Sequence, residues 1–252
     1  MKYRSTTLAL MLPLLLPALL YANVSPPQPV KIFGYELEFR LVKEGNTQYN
    51  LLFSSLRERG LTFELAVMPF TRILRDVQSH QHCIFPASLN AIKTAKPVYR
   101  DLALIASDPV DHISLRVFTR RDSPKISDLS ELNGKRIALW GGLSEDIFLG
   151  DIDAKIETTP DELIRLRMLD KGRIDAILGF TPDVSLAAEK LGIRPPHYDE
   201  TLALFHDEGA SVVCHDTPPN RQFLDQFNQI LSELKTSGEL RQILGEHAEL
   251  TR

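Results

Sequence analysis

Asn133-Gly134-Lys135-Arg136-Ile137-Ala138-Leu139-Trp140-Gly141-Gly142-Leu143-Ser144-Glu145-Asp146, near the middle of the chain, is the stretch on which the reading turns. Residues 137–140 form a short apolar run bounded by turn residues, the pattern of a buried strand, and Ser144 with two acidic residues behind it marks a helix N-terminus. The piece therefore reads strand, glycine turn, helix. In such a turn glycines let backbone N–H groups approach a ligand, and the first helical turn adds unpaired donors. Small anions and carboxylates suit that geometry, although a plain strand-to-helix connection carries the same residues.

Working outward, the same alternation repeats. Leu37, Phe39 and Leu41 alternate with Glu36, Glu38 and Arg40, which predicts a strand over 35–42. Tyr49, Leu52, Phe53 and Leu56 recur at helical spacing over 48–59 and Gly60 closes the helix. Strands follow at 61–68 and 83–87, with a helix opening at Pro69 between them. Further on, a strand at 113–119 precedes a short helix at 126–132 with a serine cap signal. Then come a strand at 155–158, a helix at 160–171, a strand at 173–179 and a helix at 182–191 ended by Gly192. Strands at 201–205 and 210–214 lead to a long amphipathic stretch, 221–246, broken at Gly238. Strands alternating with helices predict an α/β fold whose mostly parallel sheets are covered on both faces. Ligands then belong at the carboxyl ends of the strands, which makes Phe70, Arg72, Ser88 and Asn90 candidates on topology alone.

The totals exclude several classes. With 252 residues, 43% hydrophobic and 25% charged, the chain is long enough for one large domain or two lobes. Lys2 and Arg4 precede an apolar run over 8–20 and a small residue at Ala22, the pattern of a secretory signal cleaved after Ala22. Without residues 1–22, 27 basic groups face 33 acidic ones, a formal charge of −6 that makes nucleic acid a poor partner. The seven histidines form no ligand set, so no metal and no cofactor is expected. No Ser-His-Asp order or glycine elbow supports nucleophilic catalysis. Asp170 and Asp175 read as an acid pair or as structural turn residues.

Five short segments stand in order: Pro69-Phe70-Thr71-Arg72, the run from Ile84 to Lys93, Tyr99-Arg100-Asp101, residues 127–132 with Gly134-Lys135-Arg136-Ile137, and Leu169-Asp170-Lys171-Gly172-Arg173-Ile174-Asp175-Ala176. Together they resemble the amino-acid-type (family 3) periplasmic solute-binding proteins of ABC transporters. The resemblance implies a two-lobed, type II binding fold with a two-strand hinge near 111–114 and 207–210. Its lobe 1 would be 23–111 with 208–252, and its lobe 2 would be 112–207. It implies a periplasmic, monomeric, non-enzymatic protein that captures a small polar or anionic, amino-acid-like solute for an ABC permease. A receptor-coupled sensor is the alternative, and a dehydratase on the same fold a minor one.

The family's carboxylate-holding Thr-x-x-Arg falls on Asn90 and Lys93, and its turn on Gly142, Leu143 and Ser144. Its acidic ammonium partner has no clean match, with Phe180 at the position and Asp183 three residues later. Lys93 keeps the charge but lacks the planar fork of arginine. Phe70 reads equally as core or stacking surface, Arg72 as cleft or solvent residue, Lys93 as ligand contact or surface pair, and Trp140 as packing. The family's sheet order would also set the strand of Cys83 beside that of Cys214, which allows a disulfide in an exported chain.

Overall fold

The structure, a computed structural model, describes residues 29–69, 72–73, 82–95, 97–140, 148–159 and 161–250. The expected signal segment, Phe70, and Gly142, Leu143 and Ser144 lie outside the described residues. The strands are β1 (Val30–Tyr35), β2 (Phe63–Met68), β3 (Cys83–Ala87), β4 (Leu104–Ala106), β5 (Asp111–Thr119), β6 (Arg136–Trp140), β7 (Lys155–Thr159), β8 (Ala176–Thr181), β9 (His197–Tyr198) and β10 (Phe205–His215). The helices discussed below are α1 (Gln48–Glu58), α2 (Leu89–Ala95), α3 (Pro97–Arg100), α4 (Glu162–Asp170), α5 (Asp183–Leu191), α6 (Pro218–Thr236) and α7 (Glu239–Leu244).

The strands form two groups joined through the middle, in the order β2-β1-β3-β10-β5-β8-β6-β7, with β4 on β10 and β9 on β5. Within each group the strands that alternate with helices are parallel: β1 with β2 and β3, and β6 with β7 and β8. The crossing strands β5 and β10 run antiparallel, with Asp111 opposite Ala210 and His112 opposite Gly209. They fall where the two hinge segments are expected. Two strands expected near the C-terminal end, 201–205 and 210–214, are instead one long strand, β10. It hydrogen-bonds first to the second group and then to the first, and so serves both sheets.

Each group has its own apolar packing on both faces. Leu52, Phe53, Phe85, Phe223, Phe227 and Leu234 lie together under α1, α6 and α7, while Ile84, Tyr99 and Val213 pack on the opposite face of the first group. In the second group, Leu115, Ile137 and Leu178 pack on one face, and Phe118, Leu166, Ile177 and Val184 on the other.

The first strand is a correction. It begins at Val30 and ends at Tyr35, and the alternating residues beyond it form a tight reversal in which Leu37 bridges Leu41. Period-two alternation satisfies a reversal as well as a strand, because alternate side chains still separate to two sides. Here Leu41 drops back onto β1 over Gly34, where an added Cβ would stand 2.6 Å from Leu41 Cδ2. Phe39 packs toward the second group, onto the apolar cluster to which Val184 of α5 belongs. The short helix at 129–132 is a 3-10 turn, and its cap is Asp128 in a capping box with Glu131 rather than a serine.

Cys83 and Cys214 face each other across β3 and β10 and are disulfide-bonded, with Cα atoms 4.0 Å apart. The bond ties a middle strand of the first group to the returning C-terminal strand, across 131 residues of sequence.

Candidate functional site

A cavity of about 480 Å³ opens between the two strand groups. From the first group it is lined by Tyr35 to Phe39, Val42 and Pro69, and from the second by Trp140, Asp161, Glu162, Arg165, Phe180 and Asp183. Five of these mark the carboxyl ends of parallel strands: Tyr35 ends β1, Pro69 follows β2, Trp140 ends β6, Asp161 comes two residues after β7 and Phe180 is the next-to-last residue of β8. Strand ends stop pairing there and helices begin, so side chains and helix first turns converge on one gap.

The floor of the cavity is ionic. Arg40, 1% exposed, donates from Nε and Nη2 to the two oxygens of Asp183 at 3.0 and 2.9 Å, a planar two-bond fork. Its Nη1 donates to the Tyr49 hydroxyl at 2.5 Å and approaches Asp111 Oδ2 at 3.5 Å, while Tyr49 donates to Asp111 Oδ1 at 2.7 Å. Arg40 comes from the reversal after β1, and Asp183 opens α5 in the second group. The fork therefore bolts one strand group to the other beside the crossing strands. Burial works against the Arg40 charge, but Asp183, Tyr49 and Asp111 outweigh it and its pKa is raised. Burial pushes the Asp111 carboxyl up despite the opposing pull of Arg40 and the Tyr49 hydroxyl.

The wall from α4 carries a second ion pair, Glu162 with Arg165 one helical turn later, and both residues are buried. This pair is incomplete. Among the described residues, Glu162 Oε1 and Arg165 Nε and Nη1 have no hydrogen-bond partner, although each is removed from solvent. Burial pushes the Glu162 carboxyl up to about 7, with Arg165 pulling the other way. Asp161 caps α4 by accepting from the Ile164 N–H at 2.9 Å, and Glu38 reaches across from the first group to the backbone N–H of Glu162. Gly179 packs tightly beside this pair, since a Cβ there would meet Val184 Cγ2 at 2.4 Å and lie 3.7 Å from Glu162 Oε1.

Similarity to solved structures places the architecture. No protein-family model matches the chain. A histidine kinase sensor domain with similarity to periplasmic binding proteins superposes with a TM-score of 0.65 at 16% identity, over 89% of this chain and 98% of that one. The substrate binding protein of an amino acid ABC transporter superposes with a TM-score of 0.60 at 20% identity, over 85% and 97%. This is the two-lobed fold of the periplasmic binding proteins. Among curated proteins, a candidate sensor protein of Shewanella frigidimarina (strain NCIMB 400) is 25% identical over 173 residues. That stretch is 68% of this chain, and the chain spans about a quarter of the length of that relative.

Within the two-lobed fold, the residues singled out from sequence separate into three places. Phe180 and Asp183 line the cavity, with both Asp183 oxygens engaged by Arg40. Ser88 and Asn90 stand together at the start of α2, where both donate to the carboxylate of Glu208 from β10, Asn90 Nδ2 at 3.0 Å. Arg72 is exposed and Lys93 lies half-buried in the last turn of α2, neither among the described residues lining the cavity. Trp140, read as packing, is half-buried and lines the cavity. Asp175 is structural: it accepts from the Arg136 backbone N–H at 2.9 Å and pairs with the Arg136 guanidinium at 2.8 Å.

Sequence reasoning missed Tyr35, Glu36, Glu38, Arg40, Asp161, Glu162 and Arg165. Once β1 is set at Val30–Tyr35, the carboxyl-end rule that pointed to Phe70 and Ser88 points equally to Tyr35 and to Asp161. Glu162 and Arg165 read as an ordinary amphipathic helix start, and only their burial shows otherwise.

Proposed function

We propose that this chain is an extracytoplasmic solute-binding protein that captures a small polar solute, about the size of an amino acid, between lobes divided at 111/112 and 207/208. The observation that carries the reading is the incomplete ion pair of Glu162 and Arg165, buried in the wall of a cavity to which both lobes contribute. Buried charged atoms without partners are costly, and a ligand that supplies the missing partners gains affinity from them. The Cys83–Cys214 disulfide and the fold favour an oxidising, exported setting. A non-catalytic role fits the engagement of Asp183 by Arg40, which withholds that acid from a substrate proton. Delivery to an ABC permease is the downstream step that the amino-acid transporter neighbour favours.

A thermal-shift screen of amino acids, polyamines, organic acids and sugars tests the reading. A ligand present at 100 times its Kd stabilises by about 2.7 kcal/mol, which for a chain of this size raises Tm by about 5–11 °C. No shift from any class would refute solute capture. The second reading, input to a membrane receptor, is favoured by the Shewanella frigidimarina relative. Affinity capture of membrane proteins by the ligand-loaded chain separates the two: recovery of a permease supports delivery, and recovery of a receptor kinase supports sensing.

A further inference from the structure

We propose that the cleft selects a net-cationic amine, anchored on Glu162 Oε1 between Glu38 and Asp161, and that it does not require a carboxylate on the ligand. The inference rests on the solute-capture reading and names the class of solute.

The charge balance carries the first part. Among the described residues, five carboxylates line the cavity, from Glu36, Glu38, Asp161, Glu162 and Asp183, against the guanidinium of Arg165. Arg40 behind the floor neutralises Asp183, and Arg165 neutralises Glu162. Lys190, whose ammonium lies 5.6 Å from the Phe39 ring centroid, offsets part of the remainder from the rim. Acidic charge is left over facing the gap. A cation brought beside the buried Glu162 carboxyl favours its ionised form, in which Oε1, without a hydrogen-bond partner among the described residues, accepts from an N–H donor. Phe39, Trp140 and Phe180 add aromatic surface to the same cavity, which attracts an ammonium or guanidinium as well as burying its methylenes. Arg165 Nε and Nη1 then serve an acceptor such as a hydroxyl or carbonyl elsewhere on the same ligand.

An independent contact carries the second part. Ser88 and Asn90 present two donors side by side, an arrangement suited to a carboxylate, and a carboxylate already sits there, that of Glu208. The chain supplies this anion itself, from the crossing strand β10. A ligand carboxylate would have to displace a bonded one on a short tether, and gains little by doing so.

Isothermal titration of the purified protein at low ionic strength with lysine and cadaverine, arginine and agmatine, glutamate, and glucose tests both parts. The expected result is binding of at least one amine pair, its decarboxylated member within about tenfold of the amino acid, since a carboxylate held by charge-assisted bonds would count for more than that. Glu38→Gln, at an exposed position that does not endanger folding, and Glu162→Gln are each expected to weaken the amine by about tenfold or more. Binding of glutamate or glucose but no cation overturns the inference and leaves solute capture standing. So does loss of binding on decarboxylation. Silence of the whole panel removes both.

Discussion

Substituting Asp183→Asn removes one end of the bond that fastens the two lobes. In the native protein the Asp183 carboxylate takes two N–H donors of Arg40 at 3.0 and 2.9 Å, with side-chain exposures of 1% for Arg40 and 9% for Asp183. Breaking a buried ion pair by removing one partner costs about 3–5 kcal/mol. Two features lower the figure here. The asparagine oxygen still accepts from one Arg40 nitrogen, and Arg40 keeps Asp111 and the Tyr49 oxygen as neighbours. The net loss is expected at about 2–4 kcal/mol, which at 2–4 °C per kcal/mol lowers Tm by about 4–16 °C. Because the bond runs between lobes, the variant should also open, read as a larger radius of gyration by small-angle X-ray scattering without ligand. Asp111→Asn is the control. It removes the charge that faces Arg40 Nη1 at 3.5 Å and weakens the Tyr49 contact at 2.7 Å, both away from the Arg40–Asp183 fork, so it should lower Tm without opening the cleft. An Asp183→Asn protein with unchanged Tm and unchanged radius of gyration would refute the latch, as would equal opening by both variants.

Two further predictions concern stability. Reducing the Cys83–Cys214 bond frees a loop of 131 residues, for which the chain-entropy account gives about 5 kcal/mol as an upper figure, so Tm is expected to fall by up to about 10–20 °C in reductant; a fall below about 2 °C would show that the β3–β10 pairing holds without the bond. Glu162 is raised in the folded protein from 4.5 to about 7, so the folded state holds its proton more tightly than the unfolded chain. Its contribution is then fully present below about pH 4.5 and lost as pH rises through about 7, on the order of 3 kcal/mol. Thermal melts between pH 4.5 and 8 should show this decline in the native protein and a flatter profile in Glu162→Gln, and parallel profiles would place the titration elsewhere.

Local pattern determined much of this protein. The helical spacing of Tyr49, Leu52, Phe53 and Leu56, the stop at Gly60 and the break at Gly238 were legible because each depends on residues within a turn or two of one another. The same holds for the apolar runs of β3 and β6, and for Gly192, whose left-handed conformation ends α5. Element order then implied α/β sheets with ligands at strand ends, and the family resemblance implied their division into two lobes. Where the register of one strand was ambiguous, the site was displaced with it: alternation alone cannot tell a strand at 35–42 from the reversal in which Leu41 lies over Gly34.

Only tertiary structure decided which charges face the gap. Arg40 and Asp183 are 143 residues apart, and Ser88 and Glu208 are 120 apart. No local pattern distinguishes such partners from solvated charges on a surface. Glu162 and Arg165 are close in sequence, yet what sets them apart is burial in the wall of the cavity, which removes water as a partner and leaves three of their polar atoms without one among the described residues.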